Sequence, residues 1–467
     1  MILSKLLRRC CLIGLFLPIL IVSSPLLTFG YNGDGKNLKQ ENEKPNILFV
    51  LADDLGLEGV GTYGGVLVKT PNIDRLAHEG MKFTNMFANP YCTPTRSELL
   101  TGRYPYMTHT LFPISNYERH KNDVLNKSEP SFARQLKKVG YRTAIAGKWQ
   151  LSFLSKQDWV HDFGFDTYQF WQIMTADNVR TQRYHNPYFR RDGKIVHEDI
   201  KNRYGPDVMV DFLTEFIEKS HDEGKPFLAY YTSLLPHFPW VPTPGSKDSS
   251  MAGNLASGIN YGIPKYYPDM IKRLDHNVGI LLDKLDQLGI SDNTLVIFLA
   301  DNGTDQHLYS IIHGQYLYGG KATLTDRGSH VPLLMRWPGH IKPGSINSNM
   351  VEAADFLPTF CEIAGAPLPA KSINGKSFAK SLPDANTVLS KNWVHIEKKE
   401  GRYLRTKEWI VTDKGVYKKL KPYPTDAVTI DKNILDKETR DQLSLLEKKL
   451  RNLNANDINN TSSNSDN

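Results

Sequence analysis

Two segments of this chain end alike. Leu51-Ala-Asp53-Asp54 and Leu299-Ala-Asp301-Asn302 each close an apolar run with two oxygen-bearing side chains. If the runs are neighbouring strands, their tips bring three carboxylates and one amide oxygen together. Carboxylates that close repel one another unless a cation neutralises them. An all-oxygen donor set selects a hard ion, Ca²⁺ or Mg²⁺. Asp-Asp and Asp-Asn-Gly also occur as plain strand-ending turns, so it is the matched context of the two that points to a metal.

A third constellation is Tyr91-Cys92-Thr-Pro94-Thr-Arg96, followed by Gly102. Pro94 suits the first turn of a helix and Gly102 its end. Cys92 then sits at a helix N-terminus, where free N–H groups lower a thiol pKa and bind anions. Arg96, one turn on, can reach back to the same place. The bland alternative is a buried structural cysteine.

The elements that must position these groups read as α/β. Asn46 to Leu51 is a continuous apolar run, as in a strand buried on both faces. Phe227 to Tyr231 and Thr294 to Ala300 repeat it, and Tyr141 to Ala146 is a further strand. Pro71 to Gly80, Ser131 to Gly140, 206–220 and 268–289 have helical form. This alternation implies a mostly parallel sheet flanked by helices. After about residue 385 the character changes: Tyr403 to Thr412 and Val416 to Leu420 flank a hairpin signal at Asp413-Lys-Gly415, and a helix follows over 436–453. The expected organisation is a signal segment (1–30), a flexible leader (31–44), a catalytic domain (45–385), a small C-terminal α+β subdomain (386–455) and a polar tail (456–467).

Composition narrows the class. With 23% charged and 40% hydrophobic residues the chain is globular. Lys5, Arg8 and Arg9 precede the apolar run Cys10 to Val22, the order of a secretory signal. That run is broken by Pro18 and falls short of the ~20 residues a membrane span needs. The expected protein is therefore exported, periplasmic or extracellular, with no stable membrane association once the signal is cleaved. Cleavage removes three of the charges behind the net +7, leaving a mildly basic chain. It has no dense Lys/Arg block of the kind that binds nucleic acid. Of four cysteines, Cys10 and Cys11 leave with the signal. Cys92 and Cys361 remain, for a lone bridge or for a chemical role of Cys92.

From Lys44 to Pro105 the sequence resembles the opening of the sulfatase family, in KPNILFVLADD, TPNIDRLAHEGMKFTN and CTPTRSELLTGRYP. The resemblance continues through TAIAGKWQL (143–151), LPHFPW (235–240), LADNG (299–303), GGKATLTDRGSHVPLLMRWPG (319–339) and DFLPTFCEIAGAPLP (355–369). It implies an alkaline-phosphatase-like α/β sandwich and hydrolysis of sulfate esters, with sulfated polysaccharides or oligosaccharides as substrates. It further implies that Cys92 is oxidised to formylglycine by a separate formylglycine-generating enzyme. By position, Asp53, Asp54, Asp301 and Asn302 match calcium ligands, with the modified Cys92 completing the shell. Arg96 matches the arginine that holds the formylglycine. Lys148 and Lys321 match lysines that contact sulfate, and His237 a histidine near the leaving oxygen, as its general acid.

Two departures stand out. The family's GKWH is GKWQ here, so Gln150 stands where a histidine meets the nucleophile; glutamine hydrogen-bonds but takes no proton. Arg327 follows Asp326 where the family has glycine, at the pocket rim. His307 and His313 read as surface histidines. Formylglycine hydrolases of phosphonate monoesters and phosphodiesters share Cys-x-Pro-x-Arg, and a binding protein without catalysis is a third reading that Gln150 keeps open.

Overall fold

The run NILFVLA forms strand β1 (Asn46–Ala52), in which every residue is buried. A strand covered on both faces has no polar side, so its sequence does not alternate. In this computed structural model, which describes residues 44–177, 179–248 and 262–461, β1 lies inside a ten-stranded sheet. The expected signal and all but the last residue of the leader fall outside the described residues. The other strands are β2 (Met81–Phe83), β3 (Arg142–Gly147), β4 (Thr167–Trp171), β5 (Phe189–Arg191), β6 (Lys194–Ile195), β7 (Phe227–Thr232), β8 (Thr294–Ala300), β9 (Leu333–Arg336) and β10 (Ser345–Asn347). Their spatial order is β10-β2-β9-β8-β1-β7-β3-β4-β5-β6. The run β8-β1-β7-β3-β4 is parallel throughout. Antiparallel pairs join β9 to β8 and β2 on one side and β4-β5-β6 on the other.

Helices cover both faces. Among them are α1 (Pro71–His78), α2 (Cys92–Thr101), α3 (Phe132–Lys138), α4 (Gly205–Asp222), α5 (Tyr267–Gln287), α6 (Phe356–Ala364) and α7 (Lys437–Thr461). On one face Phe49 stacks on Tyr230 (ring centroids 4.6 Å) and on Phe356 of α6 (5.4 Å), with Phe132 of α3 beside them. The next residue along β7, Tyr231, points the other way and accepts from Asn277 of α5 at 3.4 Å. The α/β sandwich expected from the alternation of strands and helices is the one observed.

A second sheet, wholly antiparallel, follows in the order β11 (Val394–Lys398), β12 (Gly401–Arg405), β13 (Trp409–Thr412), β14 (Tyr417–Lys419) and β15 (Val428–Ile430). The single strand expected over Tyr403 to Thr412 is thus two. Thr406 Oγ1 accepts from the N–H groups of Glu408 (3.3 Å) and Trp409 (3.0 Å), a side-chain turn that overrides the apolar run. The helix expected over 436–453 is α7, which extends to Thr461. Cys92 and Cys361 are both free, so the bridge between them does not form. Among the described residues no helix is long and apolar enough to cross a membrane.

Candidate active site

Strands β1 and β8 are parallel neighbours in register, Ala52 opposite Ala300. Their next residues, Asp53-Asp54 and Asp301-Asn302, therefore leave the sheet side by side at its carboxyl edge, where open α/β sheets bind ligands. Asp53 and Asp301 are 0% exposed and Asp54 1%. The Asp54 N–H donates to Asp301 Oδ1 at 3.2 Å, and Asn302 Nδ2 to Asp54 Oδ1 at 2.9 Å. Asn302 Oδ1 is buried and has no hydrogen-bond partner among the described residues.

Cys92 opens α2, with Gly102 closing it at φ 66°. Its Sγ and one oxygen each of Asp53 and Asp301 lie within 4.8 Å of one another. Arg96, one turn along, donates through Nε (3.0 Å) and Nη2 (2.8 Å) to Asp301 Oδ2 and through Nη1 (2.9 Å) to the Lys148 carbonyl. The fork thus pins a strand-tip carboxylate and the loop after β3 together. Lys148 Nζ donates to both oxygens of Asp53, at 2.9 and 2.8 Å. Gly147 makes that reach possible: at φ 130°, a Cβ there would fall 1.7 Å from the Thr232 carbonyl oxygen.

Lys321 Nζ donates to Asp54 Oδ2 at 2.6 Å. His237 Nε2 lies 3.6 Å from the same oxygen. Its Nδ1 is 2.6 Å from the Phe238 carbonyl; a carbonyl only accepts, so Nδ1 carries the proton and Nε2 presents a lone pair. Burial, and then Lys148 and Lys321, hold the imidazole well below its ordinary range.

Three acids and three bases thus share one buried volume. Burial and the charge of Asp53 push Asp301 up to about 7, more than Arg96 recovers. Asp54 is also raised, first by burial. Burial raises Asp53 too, but Lys148 and Arg96 outweigh it and keep it low. Burial pushes the Cys92 thiol up.

Gln150 meets this site directly. Its Nε2 donates to the Ile114 carbonyl at 3.1 Å, which turns its Oε1 toward Cys92, and the thiol donates to that oxygen at 2.9 Å. Gln150 itself has φ 51°, an uncommon conformation for a non-glycine residue. The structure thus brings together all ten residues singled out from sequence.

Residues 45–366 match the sulfatase family model. This chain belongs to the sulfatase family. It is 31% identical over 364 residues to arylsulfatase A of Bos taurus, covering 72% of this chain and 68% of that one. It is 25% identical over 431 residues to the N-acetylglucosamine-6-O-sulfatase of Bacteroides thetaiotaomicron (74% and 72%). It is 29% identical over 363 residues to the ulvan-active sulfatase of Formosa agariphila (74% and 67%). The crystal structure of Ps i-CgsB shares the fold at a TM-score of 0.71 and 25% identity, over 88% of this chain and 93% of that one. The protein is accordingly a sulfuric ester hydrolase.

Arg183 and Ile114 were not found from the sequence. The Arg183 guanidinium lies 4.2 Å from the Trp171 ring centroid and donates to the Phe238 carbonyl, behind His237. Ile114 acts through its carbonyl, which no side-chain pattern reveals. His307 is on the surface, its Nδ1 2.7 Å from Asp305 Oδ1. Arg327 pairs with Asp426 at 3.0 Å and so ties the site's rim to the C-terminal sheet.

Proposed function

We propose that this sulfatase is exported and hydrolyses sulfate esters of sulfated glycans, using a formylglycine formed from Cys92 and a calcium ion. One observation carries the metal: Asn302 Oδ1 is buried beside three buried carboxylates, without a partner among the described residues. A buried acceptor left unpaired costs about 1–3 kcal/mol, and a hard cation satisfies it. Asp53, Asp54, Asp301 and Asn302 would hold the ion, with residue 92 beside them. Their oxygens favour calcium or magnesium over softer metals, and the resemblance favours calcium.

Charge supports the same reading. Asp53, Asp54 and Asp301 balance Arg96, Lys148 and Lys321, so a divalent ion leaves the pocket net positive and suited to a sulfate ester. A bound calcium would polarise the sulfuryl oxygens. A formylglycine at position 92 would supply an oxygen nucleophile and a second hydroxyl through which sulfate can leave, an exit serine lacks.

The remaining roles follow from the side chains. Arg96 orients Asp301. Lys148 and Lys321 place ammonium groups where charge develops on sulfate. The proton for the departing alcohol comes from Lys321, since the His237 N–H is committed to Phe238 and its Nε2 can only accept. His237 then positions the leaving oxygen as an acceptor. Gln150 accepts a hydrogen bond from the nucleophile without taking its proton.

The glycan assignment is supported by the named substrates of the Bacteroides and Formosa relatives; export is supported by the basic-then-apolar order of residues 5–22. The deciding measurement is mass spectrometry of the tryptic peptide containing Cys92, from protein co-expressed with a formylglycine-generating enzyme. The expected mass is that of an aldehyde in place of CH₂–SH. Unmodified cysteine despite competent activation would sink the mechanism. Turnover of aryl sulfate but not aryl phosphate or phosphonate esters tests the substrate class, and N-terminal sequencing of the protein from its native host tests signal removal.

A further inference from the structure

Between Asn302 and Lys321 the chain makes a two-stranded hairpin, Tyr309–Ile312 paired with Gln315–Tyr318. Ser310, Ile312 and Leu317 point inward, the last two packing with Leu57. Strand alternation puts Tyr309, Ile311, Tyr316 and Tyr318 on the opposite face. There the three tyrosines are 60%, 76% and 64% exposed. The solvent side of such a ribbon ordinarily carries polar side chains, and a cluster of exposed rings marks a contact surface. The Tyr309 ring centroid lies 6.4 Å from those of both Tyr316 and Tyr318, so the rings form one patch. Val66, also exposed, lies beside the hairpin, its N–H donating to the Ile311 carbonyl at 3.3 Å.

The patch is fastened to the catalytic pocket. The Gly319 N–H donates to the Leu308 carbonyl at 3.0 Å, closing the root, and Gln306 Nε2 donates to the Lys321 carbonyl at 2.5 Å. Arg327 Nη1 donates to the Tyr318 carbonyl at 3.4 Å. The root is tight: a Cβ on Gly319 would lie 2.1 Å from the Asp305 carbonyl oxygen. Tyr318 is three residues before Lys321, so their Cα atoms are at most about 11 Å apart. Residues 306–325 contain no Asp or Glu, while Lys321, His307 and His313 lie among them. The segment itself offers a polyanion no carboxylate, and the neighbouring Asp426 is paired with Arg327 at 3.0 Å.

We propose that the exposed hairpin face is a subsite for the chain of a sulfated polysaccharide, holding sugar rings adjacent to the one whose ester is cleaved. Tyrosine rings offer flat apolar surface to the C–H faces of sugars, and their hydroxyls pair with sugar hydroxyls. The occupant is a glycan and not a second protein copy because the patch is small, its own segment carries no carboxylate, and its root leads directly into Lys321 of the sulfate pocket. This inference rests on the sulfated-glycan reading above.

The test uses a Tyr309→Ala, Tyr316→Ala, Tyr318→Ala variant of the full, formylglycine-matured chain. An aryl sulfate reports the pocket alone, and inhibition of its turnover by carrageenan and by ulvan reports chain binding. The expected result is aryl sulfate kcat/KM within about twofold of wild type, with the inhibition constant of at least one polymer raised about tenfold or more. Unchanged inhibition by both polymers overturns the proposal, as does a matched loss of aryl sulfate turnover in a variant that melts like wild type. A concentration-dependent dimer of the wild-type protein, abolished in the variant, overturns it in favour of self-association. Failure of the wild type to turn over any aryl sulfate strikes instead at the reading on which this rests. Retardation of the wild type in gels containing either polymer, lost in the variant, would still support the subsite on its own.

Discussion

The Cys92 thiol donates to Gln150 Oε1 at 2.9 Å, and Gln150 is held in that orientation by the Ile114 carbonyl, 3.1 Å from its Nε2. An amide so fixed accepts from a hydroxyl at position 92 but cannot remove its proton. Gln150→His adds a titratable base at the same place. The kcat–pH profile of that variant should gain an acidic limb near about 6.5, the ordinary imidazole value. The wild type should lack it. A variant profile without the limb shows that position 150 takes no part in proton transfer.

Removing the proposed calcium should expose the electrostatic cost of the strand tips. Asp301 is raised from 3.8 to about 7 by burial and by Asp53. In the metal-free protein that shift stabilises the fold fully below about pH 4, and the contribution is lost as pH rises through about 7. Thermal melts after chelation should therefore show higher stability at about pH 5 than at about pH 8 for this group's share. Calcium needs the ionised carboxylate, so its affinity should fall as pH drops below about 7. Isothermal titration across that range checks it, and Asn302→Ala should weaken binding by about tenfold or more.

Arg96 separates orientation from charge. Its Nε and Nη2 both reach Asp301 Oδ2 and its Nη1 reaches the Lys148 carbonyl. Arg96→Ala leaves the buried Asp301 carboxylate without its guanidinium partner and should cost about 3–5 kcal/mol in urea unfolding of the metal-free protein. Arg96→Lys keeps the charge but not the fork. It should retain most of the stability and lose at least about tenfold in kcat/KM on an aryl sulfate. Equal kinetics for Arg96→Lys and wild type would show that the fork is dispensable.

Much of this site was legible in sequence because its parts sit at element ends with local signals. Asp53-Asp54 and Asp301-Asn302 end apolar runs, and a parallel register carries them to one place. Pro94 and Gly102 bracket the helix that Cys92 opens. What was not legible depends on groups far apart in the chain. No local pattern shows that Arg96 crosses to Asp301, that the Ile114 carbonyl orients Gln150, or that Arg183 lies on Trp171. The break at Thr406 was missed for the opposite reason: a single hydroxyl makes a turn inside a run that is apolar on average.

His237 has its Nδ1–H bound to the Phe238 carbonyl and a lone pair on Nε2, whereas Lys321 keeps N–H donors beyond the one given to Asp54. A proton donor matters most when the departing alcohol is a poor leaving group. Lys321→Ala should therefore slow hydrolysis of alkyl and sugar sulfates by about 10²-fold or more, and of sulfates of acidic phenols much less. His237→Gln keeps an acceptor at the site and should show no such dependence on the leaving group, its loss falling evenly on both substrate classes. A plot of log(kcat/KM) against leaving-group pKa for the two variants decides between them. A steep slope for His237→Gln with a flat one for Lys321→Ala would return the acid role to the histidine, and would require that the Phe238 hydrogen bond break or the ring take a second proton during turnover.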